Sequence, residues 1–407
     1  MKHPLLTNLE HEQRSLSHWW ITHTQDRNHG GFYGALDNAN RVIAGASKGA
    51  VQNARILWYF SEAARCTENS NELAMANRAF TYFCEHFWDK QHQGVVWELD
   101  AAGKAINFRK QIYAQAFAIY ALSSYYQLTK ETDALTLAQS TFQLIEKHAR
   151  DVECGGYLEA FGREWQPIED VRLSERDLNC PKTMNTHLHL LEAYSEYYKL
   201  APNKDVADAL RELIRTFLEH FIAREHYLKT FFDRQWNDKS EAISFGHDIE
   251  CSWLLWRAAT LLNDSEILLK VRPAVISIAE NCLQQGMDKN HGMIDGRDLK
   301  TGETFEQHVW WVQAEAMVGF LNAYEITENI HFWQAFENSW KFIKQHQMDS
   351  MCGEWLWFSK LTDSKWLETK KCCFWKGPYH NGRALLESTM RLRNLGLSIP
   401  FESHSAQ

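Results

Sequence analysis

Four short stretches place polar and ring-bearing side chains at helix starts, where a purely structural helix would carry apolar ones. In KTMNTHLHLLEAY, Asn185 and His189 are four residues apart and share a helix face, while His187 points elsewhere. In SFGHDIECSWLLW, His247 and Glu250 are three apart, so the carboxylate is expected to orient the imidazole or adjust its proton affinity. Asp248 is turned about 100° away and is expected to meet the neighbouring helix or a helix terminus. In HVWWVQAEAMVGF, Trp311 and Glu315 set a stacking surface beside a hydrogen-bond acceptor, with Trp310 as a second wall. In FWKGPYHNGRALLE, Trp375 and His380 flank a Gly-Pro turn that opens a helix. A histidine there lies near main-chain donors and the positive end of the dipole, which favours its neutral, basic form. Arg55, in KGAVQNARILWYF, holds the equivalent place nearer the N-terminus. Imidazoles titrate near neutral pH and flat apolar rings can stack on sugars, so this set favours a lined pocket.

The elements that must position these groups repeat along the chain. Segments 26–37, 89–100, 151–162, 224–233, 288–298 and 348–358 each offer turn residues and then a short aromatic or β-branched stretch, the signature of a loop or small hairpin. Between them apolar residues recur at spacings of three and four. The pattern predicts helices over 9–24, 49–65, 73–88, 113–128, 134–149, 183–200, 206–221, 247–262, 267–284, 310–326, 330–345 and 381–395. A helical hairpin cannot bury its apolar face alone, so the pairs must stack. Because the last segment is aromatic and chemically dense where a solenoid cap would be polar, closure into a ring is expected. The expected fold is all-α: an (α/α)6 barrel whose inner helices line a central pocket, with short β-hairpin loops at one rim. No Pro/Gly/Ser-rich linker interrupts the 407 residues, and one domain over 1–407 is expected.

Composition removes several function classes. A formal charge of -9 with 23% charged residues gives no basic surface for nucleic acid. No apolar run approaches the roughly 20 residues that span a bilayer, and the first ten residues lack an apolar core and a small-residue cleavage site. A cytoplasmic protein free of membrane is expected. Nine scattered cysteines, with Cys372 and Cys373 the only adjacent pair, make neither a disulfide framework nor a zinc ribbon. HExxH is absent, and the His247/Glu250 pair is half of a dimetal pattern with no second copy, so no metal is expected. GxGxxG beside a strand, a P-loop and GxSxG are also missing, which leaves no case for a nucleotide or a serine hydrolase.

The stretches MNTHLHLLEAY, GHDIECSWLL, WWVQAEA and WKGPYHNGR resemble the cellobiose 2-epimerase branch of the N-acylglucosamine 2-epimerase superfamily, and the resemblance runs nearly the whole length. It implies an (α/α)6 barrel that uses no metal or organic cofactor and interconverts glucose- and mannose-configured reducing ends. By motif, the resemblance makes His247 and His380 the general acid/base pair and His189 a stabiliser of the enediol. It makes Arg55, Tyr113, Asn185 and Glu250 holders of sugar hydroxyls or supports of the bases. Trp310 and Trp375 match rings that stack on the sugar, and Asp177 a position reaching toward a second sugar residue. Trp311 and Glu315 follow from face geometry together with motif. The family more often carries Pro where Val312 stands and GPWKCPYHN in place of CCFWKGPYHN, so the departures lie beside Trp310 and Trp375.

The chemistry expected is ring opening, removal of the C2 proton made acidic by the C1 aldehyde, and return of a proton to the other face. A neutral imidazole, with a reference pKa of about 6.5, suits this, and general acid/base catalysis is worth roughly 10²–10⁴ in rate. Charge grows on the C1 oxygen, where Arg55 and protonated His189 could contribute about 3–4 kcal/mol as oxyanion donors do elsewhere. The competing readings are an aldose–ketose isomerase of the mannose isomerase type, a glycoside hydrolase using Glu250 and Glu315, and a non-catalytic sugar-binding protein. The expected partner is a mono- or disaccharide, and the expected assembly a monomer or weak homo-oligomer.

Overall fold

A computed structural model describes residues 4–362 and 369–396. Twelve α-helices lie among the described residues. They are α1 (Pro4–His23), α2 (Ala50–Thr67), α3 (Ser70–Tyr82), α4 (Ile112–Thr129), α5 (Thr132–His148), α6 (Met184–Leu200), α7 (Lys204–Thr216), α8 (Phe245–Leu262), α9 (Ser265–Asn281), α10 (Trp310–Thr327), α11 (Ile330–Phe342) and α12 (His380–Asn394). Each predicted helix is present. The outer helices α3, α7, α9 and α11 run on through single π turns, such as Phe83–Phe87 and Ile343–Gln347, which supply the extra length expected from the pattern.

Local chemistry makes the hairpins. The inner helices α2, α4, α8 and α10 end on a left-handed residue, Glu68, Lys130, Asn263 and Glu328. The next residue, Asn69, Glu131, Asp264 or Asn329, caps the following outer helix with its side-chain oxygen. A two-residue corner of this kind forces the outer helix back antiparallel to its inner partner. Outer helices are amphipathic: α7 buries Val206, Leu210, Leu213 and Ile214 and exposes Asp205, Asp208 and Arg215. Inner helices are buried nearly all round, and small residues such as Ala114, Ala116, Ala118 and Ala121 in α4 let neighbours approach.

Closure is decided at the rim. After each outer helix a turn is closed by a single β-bridge: Gln25 with Phe32, Trp88 with Val95, Arg150 with Tyr157, Ile222 with Leu228, Met287 with Met293, and Met348 with Trp355. The strand entering each inner helix then pairs with the hairpin of the next repeat. Lys48–Gly49 pairs with Glu98–Leu99, Lys110–Gln111 with Ala160–Phe161, Lys182–Thr183 with Phe231–Phe232, and Ala242–Ser244 with Gly296–Asp298. Val309 bridges Phe358, and Lys370–Cys372 returns to pair with Leu36–Asp37 of the first hairpin. The sixth repeat is thus hydrogen-bonded to the first, and α1 packs on α12. The fold is the expected (α/α)6 barrel.

Five of the rim turns share a pairing of an Asp with a basic side chain, and four of the five are ion pairs. The residue after the bridge is an Asp that accepts backbone N–H groups of its own turn and meets a basic side chain, a lysine or in the fifth turn His308, which stands two residues ahead of the inner helix in all but the sixth repeat. The pairs are Asp26–Lys48 at 2.8 Å, Asp89–Lys110 at 3.2 Å, Asp151–Lys182 at 3.1 Å and Asp288–His308 at 3.2 Å. Asp349–Lys371, at 2.7 Å, repeats the arrangement in the sixth turn. In the fourth repeat Ala223 and Ile243 hold the corresponding places, and the turn keeps its other anchor, Asp248, whose Oδ1 accepts from Leu228 N at 2.9 Å. Asp248 was expected to meet a helix or helix end; it meets the rim loop because it is the fourth residue of its helix. Gln115, His187 and Gln313 hold that same place and accept from Val95, Tyr157 and Met293 N–H in their own repeats. His187 is therefore a structural anchor, turned away from the axis as its spacing predicted.

Candidate active site

The barrel axis opens at the hairpin rim into a cavity of about 520 Å³. Inner-helix register explains what faces it. Arg55, Phe117, His189, Glu250 and Glu315 are each the sixth residue of their helices and form one layer around the axis. One turn nearer the mouth, the second residues of α4, α6 and α10 present Tyr113, Asn185 and Trp311.

Eleven of the twelve expected site residues line the cavity: Arg55, Tyr113, Asp177, Asn185, His189, His247, Glu250, Trp310, Trp311, Trp375 and His380. Glu315 does not. It lies beneath His380, accepts from Trp253 Nε1 at 3.1 Å, and meets His380 Nδ1 at 2.6 Å. It was expected as an acceptor beside Trp311, and the structure makes it the seat of an imidazole instead, because His380 and Arg383 of α12 take its carboxylate. The Glu250 expectation is also corrected. Its Oε1 accepts from Arg383 Nη2 at 2.5 Å, while His247 Nδ1 is held by Ser244 Oγ at 2.8 Å. His247 is the third residue of α8, so its ring leans to the mouth while Glu250 points to the axis.

His247 and His380 share a wall. The Trp311 indole centroid lies 4.8 Å from the His247 ring and 5.4 Å from the His380 ring. Gly246 makes room for it, since a Cβ there would stand 2.5 Å from the end of the indole. Arg55 donates to Tyr113 Oη at 3.0 Å and to the Trp375 carbonyl, and its guanidinium rests over the Phe117 ring. Tyr113 stands edge-on to His189 at 4.8 Å. Trp310 packs on Trp357, a further lining ring. Asp177 spends one carboxylate oxygen on Ser174 N and Oγ, which folds its own loop over the mouth. Asn185 Oδ1 is buried and unpartnered among the described residues.

Electrostatics separate the three imidazoles. Burial, with the nearby His189, pushes His247 down to about 3. Burial and then the Arg55 and Arg383 charges push His380 well below its ordinary range. Both rest as neutral bases. Burial and the adjacent Glu315 push Glu250 up to about 7, against the pull of Arg383. For Glu192 burial acts upward, but Arg383 and hydrogen bonds from His189 and Tyr379 outweigh it and hold the carboxyl at about 2. Ligand atoms of Glu250, Glu315 and His380 come within 4.8 Å of one another, the spacing of a cation site. Arg383 Nη2 hydrogen-bonds both carboxylates, so a built-in guanidinium already supplies their counter-charge.

Three residues under the floor, Glu192, Tyr379 and Arg383, and the Ser244 prop were not singled out from sequence. Glu192 and Arg383 follow His189 and His380 by three residues, the spacing that drew attention to Glu250, so the signal was present. Leu173–Arg176 and Trp357 at the mouth carry no helical periodicity that could have marked them.

The family model for N-acylglucosamine 2-epimerase (GlcNAc 2-epimerase) matches residues 31–380. A cellobiose 2-epimerase of Bacteroides fragilis is 40% identical over 370 residues, covering 91% of this chain and 94% of its own. The solved cellobiose 2-epimerase of Bacillus thermoamylovorans B4167 superposes with a TM-score of 0.90 at 34% identity, over 95% of this chain and 99% of that one. A solved D-mannose isomerase has the same fold, with a TM-score of 0.84 at 20% identity over 96% of this chain and all of that one. Sequence and architecture agree over almost the full length: the chain belongs to the N-acylglucosamine 2-epimerase family and is a carbohydrate epimerase.

Proposed function

We propose that this enzyme inverts C2 of glucose- and mannose-configured reducing ends, with cellobiose and mannobiose as disaccharide substrates and mannose as the free hexose. The observation that carries this reading is two neutral imidazoles, His247 and His380, against one indole wall of a saccharide-sized cavity. Each has its Nδ1 engaged, by Ser244 and Glu315, so each presents Nε2 to the sugar.

After ring opening, one imidazole takes the C2 proton, the C2–H electron pair forms the C1=C2 double bond of the enediol, and the C1=O π pair moves onto the C1 oxygen. Arg55 donates to that oxygen, and His189 stands beside it as a stabiliser of the enediol. The second imidazole takes a proton from water at the open mouth and gives it to the opposite face of C2, the C1 carbonyl re-forms, and the first imidazole returns its proton to water, which restores both bases. Trp310, Trp311 and Trp375 stack on the sugar, Tyr113 and Asn185 meet its hydroxyls, and Asp177 stands where a second sugar residue would lie. We take Glu250 and Glu315 as supports of the bases rather than a hydrolytic pair, because both are committed to Arg383. No metal or organic cofactor enters this chemistry. None of the described helices is long and apolar enough to cross a membrane, and all nine cysteines are free thiols, as suits the reducing cytoplasm. A single catalytic domain acting as a monomer or weak homo-oligomer is sufficient, since every residue named comes from one barrel.

The test is a proton NMR time course in heavy water on cellobiose, mannobiose and mannose separately. The expected result is the C2 epimer with deuterium at C2. A ketose as main product favours the isomerase reading, and free monosaccharides from the disaccharides favour a hydrolase.

A further inference from the structure

Two of the three pocket imidazoles stand on carboxylates that share one cation. His189 Nδ1 lies 3.0 Å from Glu192 Oε2, and His380 Nδ1 lies 2.6 Å from Glu315 Oε1. Arg383 reaches both carboxylates. Its Nη1 donates to Glu192 Oε1, and its Nη2 donates to Glu315 Oε1 at 2.6 Å and to Glu250 Oε1 at 2.5 Å. The Tyr379 hydroxyl donates to Glu192 Oε2 at 2.5 Å. The guanidinium is fully buried, with the Trp253 and Tyr379 rings 4.7 and 4.2 Å from its centre. Neither Arg383 nor Glu192 lines the cavity, so neither touches substrate.

We propose that Arg383 and Glu192 are positioning residues: Arg383 fixes two carboxylates at once, and through them it sets the tautomer and aim of both His189 and His380. This rests on the epimerase reading for its consequence in turnover, but the arrangement itself does not. An ionised carboxylate accepts only, so an imidazole seated on it must carry its proton at Nδ1 and turn Nε2 to the cavity. A buried carboxylate without a cation would take up a proton and become a donor in its own right, and the imidazole would lose that instruction. His247 is outside the unit. Its prop is the Ser244 hydroxyl, which can donate or accept, so its tautomer is not dictated in this way. One floor-level guanidinium thus holds two imidazoles in register across the axis, and the third is set independently from the rim.

The experiment uses full-length enzyme with 15N-labelled imidazoles, the His189, His247 and His380 signals being assigned by single replacements. In the unmodified enzyme, Nδ1 of His189 and of His380 is expected to carry a proton. Glu192→Ala is expected to lose that signature at His189 and keep it at His380, while kcat falls about 10–100-fold with KM within about twofold, as for other carboxylate supports of a histidine. The shared cation is tested by a cycle of Glu192→Ala, Glu315→Ala and the double variant, which leaves the buried Arg383 itself in place. Joined through Arg383, the two losses in kcat are expected to fall short of multiplying by at least about threefold. An unchanged His189 signal in Glu192→Ala, a rise in KM with kcat intact, or losses that simply multiply each overturn the proposal. The imidazole signals need no turnover, so enzyme with the expected signals but no deuterium at C2 would reject the epimerase reading alone.

Discussion

His380 sets its Nδ1 on the Glu315 carboxylate at 2.6 Å, and that carboxylate is closed off from the cavity. The imidazole is therefore oriented from below while its other nitrogen meets the sugar. Replacing Glu315 by Gln keeps the shape and an acceptor but frees the side-chain amide to donate to Nδ1. We expect Glu315→Gln to lower kcat by about 10–100-fold with little change in KM. Steady-state kinetics together with the rate of deuterium entry at C2 check this, and an effect confined to KM would contradict it.

The pH dependence follows from Glu250, which titrates at about 7 and stands 4.0 Å from His380 Nδ1. His247 and His380 are both depressed, so both stay in the base form well below the ordinary imidazole value, and neither limits activity near neutrality. As pH rises through about 7, Glu250 gains its negative charge and makes His380 a stronger base. The profile of kcat/KM is expected to rise through that point. In Glu250→Gln the rise should vanish.

Gly246 is the space that Trp311 occupies. A Cβ there would lie 2.5 Å from the indole, so Gly246→Ala must move the ring that both bases contact. Overpacking of this kind costs about 1–3 kcal/mol of stability, and misplacing the reacting geometry by about 1 Å costs on the order of 10²-fold in rate. Thermal unfolding and kcat measured on the same variant should show a modest fall in Tm beside a large loss of turnover.

The rim pairs make a prediction about stability. Lys48 and Asp26 are both buried, and removing only the lysine leaves the Asp26 carboxylate without its cation. Lys48→Ile is expected to destabilise the fold by roughly 3–5 kcal/mol. The fourth repeat carries Ala and Ile at the equivalent places and is built without the charges. Asp26→Ala combined with Lys48→Ile should therefore recover much of that loss, the remainder being the turn bonds from Asn28 and His29 N–H. Denaturant unfolding of the single and double variants decides it.

Periodicity along the chain was enough for twelve helices and the choice of His189 over His187, because helix faces repeat every three to four residues and need no knowledge of partners. The same rule put Asn185 on the face of His189 and Trp311 on that of Glu315, while Tyr113 rested on the family resemblance alone. Only the assembled ring decided who supports whom. Glu250 was three residues from His247, yet the carboxylate went to Arg383, because each inner helix turns its sixth residue to a common axis where residues from different repeats meet. Glu315 was assigned to the sugar and serves His380 from beneath, since the imidazole that takes its carboxylate comes from a different helix, 65 positions along the chain. Side-chain identity and local spacing settle what a group can do; which of its possible partners it meets depends on contacts between residues 65 to 133 positions apart, and those exist only once the ring has closed.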